Sequence, residues 1–392
     1  GNTSTGTLTL DGTVYTTTGS QTYTAATGGG NIDITNTAGT TFTTTNTAIA
    51  FNTSGVDLAN NATTTIDTGT GAGDVTFQGA IETNGGDNDI LTVTSGTGTV
   101  TFTGAIGATE ELGGLNVNAS SGNGVITFTS TIGDSGNAGV IGTTSIGNAA
   151  TSNVNFNSTI YSFDGATTIT AAAGDTIDMG AAAATTFTTA ADNITFATGN
   201  IELANGSNLT VDTGAAGGNI TIGEIGGTSV ETVTLDAGTG TTSVGVIGSG
   251  TEIGALSIGS AENGGITLNG AITTDGVVTL DGPITLATGA ITITTADDAI
   301  NLQGTVDGGQ ALTLSSGSAA ITADGAIGSS TALTSLTVNS SGAGTIEITD
   351  IGTSSAAGVS GATAIGNTST GTLTLDGTCL LYTSDAADEV VS

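Results

Sequence analysis

A short phrase recurs along the chain at a nearly regular interval of about 25 residues, and this spacing constrains the fold more than any other feature. The phrase reads Gly-x-Val-Thr-Phe-x-Gly-Ala-Ile at residues 73–81 and 98–106, and looser copies end at Ile132 and Ile160. The phenylalanines of the four copies are Phe77, Phe102, Phe128 and Phe156. A unit of this length is too small to bury a core by itself, so neighbouring units must stack on one another.

A second phrase, of the type Leu-Thr-Val, precedes the first and keeps a similar spacing. It occurs at Leu91 and Leu115, and again at Val233 and Leu256. In both phrases apolar residues alternate with Thr, which favours short strands with one buried face. Gly, Asn and Ser between the phrases favour turns, and the chain contains 66 Gly but only one Pro. Each unit of about 22–28 residues is therefore expected to hold two or three short strands.

Stacked units of this kind predict an all-β protein, a right-handed parallel β-helix in which each unit forms one rung. Equivalent inward positions repeat from rung to rung, so the four phenylalanines should stack in one interior column. Val93 and Val117 should belong to a neighbouring aliphatic column, with mostly Thr on the outside. At about 24 residues per rung and about 4.8 Å between rungs, residues 1–378 would form about 16 rungs and a rod roughly 75 Å long.

A longer repeat is superimposed on the short one. Residues 56–60 match residues 201–205, and Phe42 and Phe51 match Phe187 and Phe196 at the same offset. The Gly-Asn phrases at Gly1, Gly147 and Gly366 open successive copies of this longer repeat.

These matches predict the domain organisation. A first supra-repeat spans 1–146, a second spans 147–365, and a third begins at 366–378. The second copy is longer than the first by about three rungs. A solenoid tolerates whole inserted rungs because each added rung preserves every interface.

The last fourteen residues, 379–392, differ from the rest of the chain. Residues 1–13 and 366–378 are identical, but the match stops at Cys379. Residues 379–389 resemble one reading frame of a transposon-type sequencing adapter. We interpret 379–392 as a non-native tail, with a genuine divergent tail as the alternative. On the first interpretation the single Cys is not native, and cysteine pairing says nothing about the redox compartment.

The charge of the chain excludes several classes of function. It has 34 Asp and Glu residues and no Lys, Arg or His, which gives a net charge of −34. Without cations it has no means of binding nucleic acid or an anionic membrane surface, so neither is expected as a partner. Without His or Lys, Ser-His-Asp triads and Schiff-base chemistry are unavailable, and zinc sites lack their usual ligands. No apolar run approaches the roughly 18 residues of a membrane helix, so membrane insertion is not expected.

The repeated phrases resemble those of a known group of proteins. Residues 16–23 (TTTGSQTY), the Gly-x-Val-Thr-Phe-x-Gly-Ala-Ile phrase and the phrase Leu-x-x-Leu-Thr-Val-Asn are similar to β-strand-repeat segments of very large bacterial surface proteins. Those segments are similar to adhesins of the filamentous-haemagglutinin and autotransporter-passenger type. The resemblance covers about residues 1–378 and implies secretion, display at the bacterial cell surface, and roles in adhesion or biofilm formation. The total absence of Lys and Arg is unusual for this group.

One segment is a candidate for calcium binding. Residues 85–91 (GGDNDIL) are similar to the glycine-aspartate nonapeptide of calcium-binding β-rolls, with Asp87 and Asp89 as the candidate ligands. The segment is one residue out of phase with that pattern and occurs once, whereas those sites share each ion between consecutive turns. A polar turn is the alternative. Diffuse binding of divalent cations to a strongly acidic rod is a further expectation.

Two other patterns are candidates for sites. Glu110-Glu111 and Asp297-Asp298 are adjacent carboxylates, but neighbouring residues of a strand point to opposite faces, so neither pair predicts a glycosidase acid/base couple. Ranks of outward Thr, such as Thr101 and Thr103, resemble ice-binding solenoids. Thr is also a favoured residue on solvent-facing strands.

The sequence therefore predicts a non-enzymatic, extracellular rod on a bacterial surface, with a structural or adhesive role and no catalytic or cofactor-binding residues. Its expected partners are glycans or a host or neighbouring cell surface. Two alternatives stay open. One is a carbohydrate-active β-helix that uses carboxylates, and the other is a solenoid face that binds ice or calcium.

Overall fold

The computed structural model describes residues 6–26, 29–52, 55–86, 88–119, 124–259 and 264–377. Within these ranges the protein is all-β and contains no helix, which confirms the predicted fold class. The tail at 379–392 lies outside the described residues.

Most strands are short because they span only one side of a rung. In chain order they are β1 (Leu8–Leu10), β2 (Val14–Thr16), β3 (Gln21–Tyr23), β4 (Ile32–Ile34), β5 (Thr40–Thr43), β6 (Ile49–Phe51), β7 (Gly55–Leu58), β8 (Thr63–Asp67), β9 (Val75–Phe77), β10 (Ala80–Thr83), β11 (Ile90–Ser95), β12 (Val100–Phe102), β13 (Gly114–Ala119), β14 (Val125–Phe128), β15 (Thr144–Ile146), β16 (Asn153–Phe156), β17 (Ile160–Ser162), β18 (Thr167–Ile169), β19 (Thr176–Met179), β20 (Thr185–Thr188), β21 (Ile194–Phe196), β22 (Asn200–Leu203), β23 (Leu209–Asp212), β24 (Ile220–Gly226), β25 (Thr232–Asp236), β26 (Thr241–Ile247), β27 (Ala255–Ile258), β28 (Gly265–Leu268), β29 (Ile272–Thr274), β30 (Val278–Leu280), β31 (Ile284–Leu286), β32 (Ile291–Thr295), β33 (Ile300–Leu302), β34 (Val306–Asp307), β35 (Ala311–Ser315), β36 (Ile321–Ala323), β37 (Ser335–Asn339), β38 (Ile346–Ile348), β39 (Thr363–Ile365) and β40 (Leu373–Leu375).

Each rung contributes to three faces, and all strand pairings between rungs are parallel. Face I begins with β1, β4, β7 and β10, passes through single bridges at Ile106 and Ile132, and continues from β17 to β40. Face II contains β2, β5, β8, β11, β13, β15, β18, β21, β24, β26, β28, β31 and β34. Face III contains β3, β6, β9, β12, β14, β16, β19, β22, the second halves of β24 and β26, and then β29, β32, β35, β37 and β39.

The chain passes through the three faces in turn and returns to the first after about 24 residues. About 15 rungs are formed in this way, so the parallel β-helix and its predicted rung length are confirmed. The handedness of the winding stays a prediction.

The interior is one continuous column of apolar side chains. Phe51, Phe77, Phe102, Phe128 and Phe156 stack face to face on face III, with ring centroids 4.8–5.3 Å apart and interplanar angles of 3–7°. All five are essentially inaccessible to solvent. The predicted phenylalanine column is therefore confirmed.

The predicted aliphatic column is confirmed in the same way. Val93 pairs with Val117 on face II, and both side chains are fully buried. The core cluster continues from Leu10 to Ile348 without division into separate cores. The copy boundaries at 146/147 and 365/366 therefore stay an interpretation of the sequence.

The long repeat and the rungs are out of phase with one another. Phe42 lies on face II, and the residue six rungs further along the same column is Phe196 rather than its sequence equivalent Phe187. Phe187 lies on face I, in β20. The offset between the two copies therefore spans about five and two-thirds rungs. All three faces present apolar side chains inward, so a shift by one third of a rung keeps the interior apolar.

The local structure of the two copies is nevertheless the same. The rings of Phe42 and Phe51 pack edge to face with centroids 5.4 Å apart, and those of Phe187 and Phe196 repeat this arrangement at 5.4 Å. The two copies thus keep the same contacts between neighbouring residues, although each segment of the second copy lies one face away from its equivalent in the first.

Glycine is required at corners where successive rungs touch through their backbones. A Cβ added to Gly104 would lie 2.1 Å from the carbonyl carbon of Gly79 in the preceding rung. The same contact recurs between Gly304 and Gly282, at 2.2 Å. Rungs about 4.8 Å apart leave no room for a side chain that points along the axis.

Gly104→Ala is therefore expected to destabilise the protein by about 1–3 kcal/mol, the usual range for overpacking. Gly309→Ala is the matched control, because nothing lies within 4 Å of its added Cβ. It should change stability by no more than about 0.5 kcal/mol. Thermal and denaturant unfolding of the two variants measure the difference, and equal midpoints would contradict the close approach of the rungs.

Candidate functional surfaces

The calcium candidates do not form a ligand cluster in the described residues. Asp87 lies outside those residues. Asp89 is fully buried just before β11, and its backbone carbonyl accepts a hydrogen bond from the N–H of Gly113 at 2.9 Å. No group of three or more Asp, Glu, His or Cys side chains suited to a metal ion occurs in the described part of the chain. Calcium binding by Asp87 and Asp89 stays a prediction.

Of the adjacent acidic residues, Asp297 bonds a neighbouring turn through its carboxylate, whereas Glu110 does so through its backbone. Glu110 is exposed, and its backbone N–H donates to the Glu82 carboxylate at 2.9 Å. Asp297 is exposed and accepts the backbone N–H of Ser318 from the next rung at 2.9 Å. This hydrogen bond lowers the pKa of Asp297. The carboxylate of Asp297 is thus held ionised in a structural role.

Carboxylates of one rung accept backbone N–H groups from the corner of the next rung. Glu82 accepts from Thr109 at 3.2 Å as well as from Glu110. Asp307 accepts from Ser330 and Thr331 at 2.7 and 2.9 Å. The chain has no Lys, Arg or His, so backbone N–H groups are the donors that these two carboxylates meet in the next rung. The sequence pattern singles out neither Glu82 nor Asp307, although each precedes its loop by about one repeat length.

Glu231 is a buried carboxylate that also accepts backbone N–H groups. Its side chain is inaccessible to solvent, and its carboxylate accepts the backbone N–H and hydroxyl of Thr228 and the N–H of Gly206 in the preceding rung. Burial raises the pKa of Glu231, but these hydrogen bonds outweigh it and the net pKa is below the usual value. Hydrogen bonds of the Glu231 carboxylate therefore hold the corner 227–231 against the rung before it.

Two acidic ladders run along the outside of the rod. On face I, Asp33, Asp57 and Glu82 occupy matching outward positions of three successive rungs. Desolvation raises the pKa of Asp33, and the charge of Asp57 and a hydrogen bond shared with it raise it further. Desolvation also raises the pKa of Glu82, with a contribution from Asp57.

The second ladder lies on face III, where Asp178 pairs with Glu202. Desolvation raises the pKa of Asp178. Desolvation and the charges of Asp178 and Glu224 raise the pKa of Glu202. Both ladders are places where folding brings like charges together without a cation between them.

Face II carries an unbroken outward row of hydroxyl and amide side chains. Each member pairs with the next in register, so the spacing along the row is about 4.8 Å. The row is Thr41, Thr65, Thr92, Asn116, Ser145, Thr168, Thr195, Thr221, Ser243, Thr267 and Thr285. Every member is at least partly exposed. The result is a continuous polar stripe roughly 48 Å long.

A long corner loop, 133–139, stands out beside this stripe. It joins face I to face II, and the amide of Asn137 donates to the carbonyl of Ala108 in the rung before it at 3.4 Å. A shallow cleft of about 360 Å³ lies against the loop. Glu111, Asp134 and Asp164 are among the residues that line the cleft. The Asp134 carboxylate also accepts two N–H groups of its own loop.

The fold and these surfaces define an acidic β-solenoid, a class of elongated repeat protein. None of the known protein families, curated proteins or solved structures compared with this chain matches it. Within the described ranges, no helix is long and apolar enough to span a membrane.

Proposed function

We propose that this chain is a non-enzymatic, extracellular rod of a bacterial surface protein, with a structural and adhesive role. The observation that carries the proposal is the continuous hydroxyl and amide stripe of face II. Its members repeat at the spacing of the rungs, so an extended polymer lying parallel to the axis meets the same groups many times. Binding at each position is weak, and repetition supplies the avidity.

The charge of the rod favours one class of partner. With a net charge of −34 and no cationic side chain, the rod repels acidic polymers. Neutral glycans of a host or neighbouring cell surface present hydroxyl groups that can pair with Thr, Ser and Asn without this penalty. Divalent cations gather diffusely around the carboxylates and reduce the repulsion.

The test is retention of the purified chain on a neutral polysaccharide matrix and on a polygalacturonate matrix of equal density. We expect retention on the neutral matrix only. The triple variant Thr168→Val, Thr195→Val and Thr221→Val should lose most of it, because Val keeps the shape and strand propensity of Thr but removes the hydroxyl.

The matched control changes three outward threonines of face III, Thr76→Val, Thr101→Val and Thr127→Val, which pair in register outside the stripe. This control should be retained like the unsubstituted chain. Equal retention of the two triple variants, or no retention of the unsubstituted chain, would contradict the adhesive role of face II.

A second candidate, a carbohydrate-active β-helix, is favoured by the cleft beside loop 133–139. Three acidic residues line it, and glycoside hydrolysis uses pairs of carboxylates. Release of reducing ends from neutral polysaccharides, abolished by Glu111→Gln or Asp134→Asn, would replace the structural proposal with this one. Thermal hysteresis of the unsubstituted chain that is lost in the face II variant would favour an ice-binding face instead.

A further inference from the structure

The chain contains five Asn-Gly pairs, and at each of them the backbone can attack the asparagine side chain. Three pairs begin at Asn84, Asn205 and Asn269, within the described residues. The other two begin at Asn123 and Asn263, which lie outside them. Glycine favours the attack because it has no side chain to shield its nitrogen and its backbone rotates freely. The folded structure restrains the three described pairs to different degrees.

The reaction joins the glycine nitrogen to Cγ of the asparagine side chain. The nitrogen gives up its proton to water and bonds to Cγ, the Cγ–Nδ2 bond breaks, and Nδ2 leaves as ammonia. Water then opens the resulting succinimide ring at either of its carbonyl carbons, which leaves aspartate or isoaspartate. The net change consumes one water and releases one ammonia, without oxidation or reduction. The reaction therefore needs a movable asparagine side chain and an available glycine N–H.

Asn84 and Gly85 are exposed at the corner that follows β10. The preceding rung holds this corner on both sides, because the N–H of Asn84 donates to the carbonyl of Leu58 at 3.1 Å. The side-chain amide of Asn60 donates to the carbonyl of Gly85, also at 3.1 Å. Between these bonds, the Asn84 side chain and the Gly85 N–H have no hydrogen bond to any other described residue. Both reacting groups are therefore unrestrained.

Asn205 and Gly206 form a closely matched corner with one difference. Both residues are exposed, the φ of Gly206 is 81° against 83° for Gly85, and a Cβ added to either glycine would meet nothing within 4 Å. The difference is that the Gly206 N–H donates to the Glu231 carboxylate at 3.1 Å. Hydrogen bonds hold the pKa of Glu231 below its usual value, so the carboxylate is ionised at neutral pH. It therefore holds the N–H and opposes the negative charge that the nitrogen gains on losing its proton.

At Asn269 the restraint acts on the side chain instead. Its amide donates to the hydroxyl of Ser243 at 2.9 Å and to the carbonyl of Val244 at 3.4 Å, both in the preceding rung. The following glycine is also packed against that rung, since a Cβ added to Gly270 would lie 2.7 Å from the carbonyl carbon of Gly245. Rotation of the Asn269 side chain towards the Gly270 nitrogen must break both bonds.

We propose that Asn84 is a site of spontaneous deamidation in the folded protein, and that the fold protects Asn205 and Asn269. The reacting nitrogen is held at Asn205, the reacting side chain is held at Asn269, and neither is held at Asn84. The product places one further negative charge two residues from Glu82, in a chain with no cation to balance it. The isoaspartate form also inserts Cβ into the backbone between the two hydrogen bonds that hold this corner.

The inference is tested on the full chain, incubated folded in mildly alkaline buffer and, in parallel, unfolded in concentrated urea. Glu-C peptides are analysed by mass spectrometry with fragmentation, because trypsin has no cleavage site in a chain without Lys or Arg. In the folded chain, the deamidation rate at Asn84 should exceed the rates at Asn205 and Asn269 by about tenfold, the effect of the one or two hydrogen bonds that those sites keep. In urea the three rates should converge, because these restraints are lost.

Asn84→Gln and Asn205→Gln are matched variants, since glutamine keeps an exposed amide but its longer side chain closes a ring much more slowly. Asn84→Gln should lower the total isoaspartate of the folded chain, measured by enzymatic methylation, and Asn205→Gln should leave it unchanged. Equal rates at the three sites in the folded chain, a faster rate at Asn205 or Asn269, or the same differences in urea would overturn the inference. It does not depend on the adhesive role.

Discussion

Replacing Phe102 by alanine is expected to destabilise the rungs around β12 by about 3–5 kcal/mol, the usual cost of removing a buried phenylalanine. Phe102 stacks on Phe77 at 5.3 Å and on Phe128 at 5.0 Å, so truncation removes both ring contacts and leaves a cavity between two rungs. Each rung contacts only its neighbours, and no distant part of the molecule can compensate. Hydrogen exchange at the amides of β9, β12 and β14 measures the effect where it arises.

Thr101→Ala is the matched control, because Thr101 lies on the same strand but points outward. We expect a change of no more than about 0.5 kcal/mol for it. Phe102→Leu should recover much of the loss by refilling the cavity. If Phe102→Ala and Thr101→Ala had the same exchange protection and the same melting midpoint, the stacked column would not be the source of stability.

Acidification from neutral pH is expected to stabilise this protein. Desolvation and neighbouring carboxylates raise the pKa values of Asp33, Glu82, Asp178 and Glu202. A raised pKa means that the folded chain binds the proton more tightly than the unfolded chain. The loss of folding stability caused by these ionised carboxylates is therefore present in full above the folded pKa. It disappears as pH falls to the ordinary pKa values of 3.8 and 4.5.

Glu231 and Asp297 act in the opposite direction. Their pKa values are lowered, so the stability that they contribute is present at neutral pH and is lost as pH falls from the ordinary values of 4.5 and 3.8 through the folded values. The melting temperature should consequently reach its maximum near pH ~4.5 and decline below it. Added salt at neutral pH should raise the melting temperature for the same electrostatic reason.

Two variants separate these contributions. Asp57→Asn removes the charge that faces Asp33 and Glu82, so it should raise the melting temperature at pH 7 and weaken its rise on acidification. Asp297→Asn should lower the melting temperature at pH 7, because it weakens the acceptor for Ser318. A melting temperature that falls steadily from pH 7 to pH 5 in the unsubstituted chain would contradict the ladder interpretation.

The architecture of the rung could be predicted because it depends on residues that are close together in the sequence. Alternation of Thr with Val, Ile and Phe fixes which side chains point inward, and the regular spacing of Phe77 and Phe102 fixes which ones stack. The structure confirms both. Thr101 likewise lies outward on its strand, as the pattern requires.

The surfaces were harder to predict. Nothing near Glu82 in the sequence indicates that it accepts the N–H groups of Thr109 and Glu110, because that contact depends on the loop of the following rung. Asp33 and Asp57 carry no local signal of a ladder either. Their matching outward positions follow from the register between two successive rungs, which the structure supplies.

The amino-acid sequence by itself determined that the chain forms stacked rungs with an apolar interior and an acidic, hydroxyl-rich exterior, since strand alternation and turn residues act within a single unit. The tertiary structure decided which face each segment occupies. Rung lengths vary, so the face on which a segment lies depends on the lengths of all the strands and corners before it. This is why Phe187 lies on a different face from its sequence equivalent Phe42, while β40 returns to the face of β1.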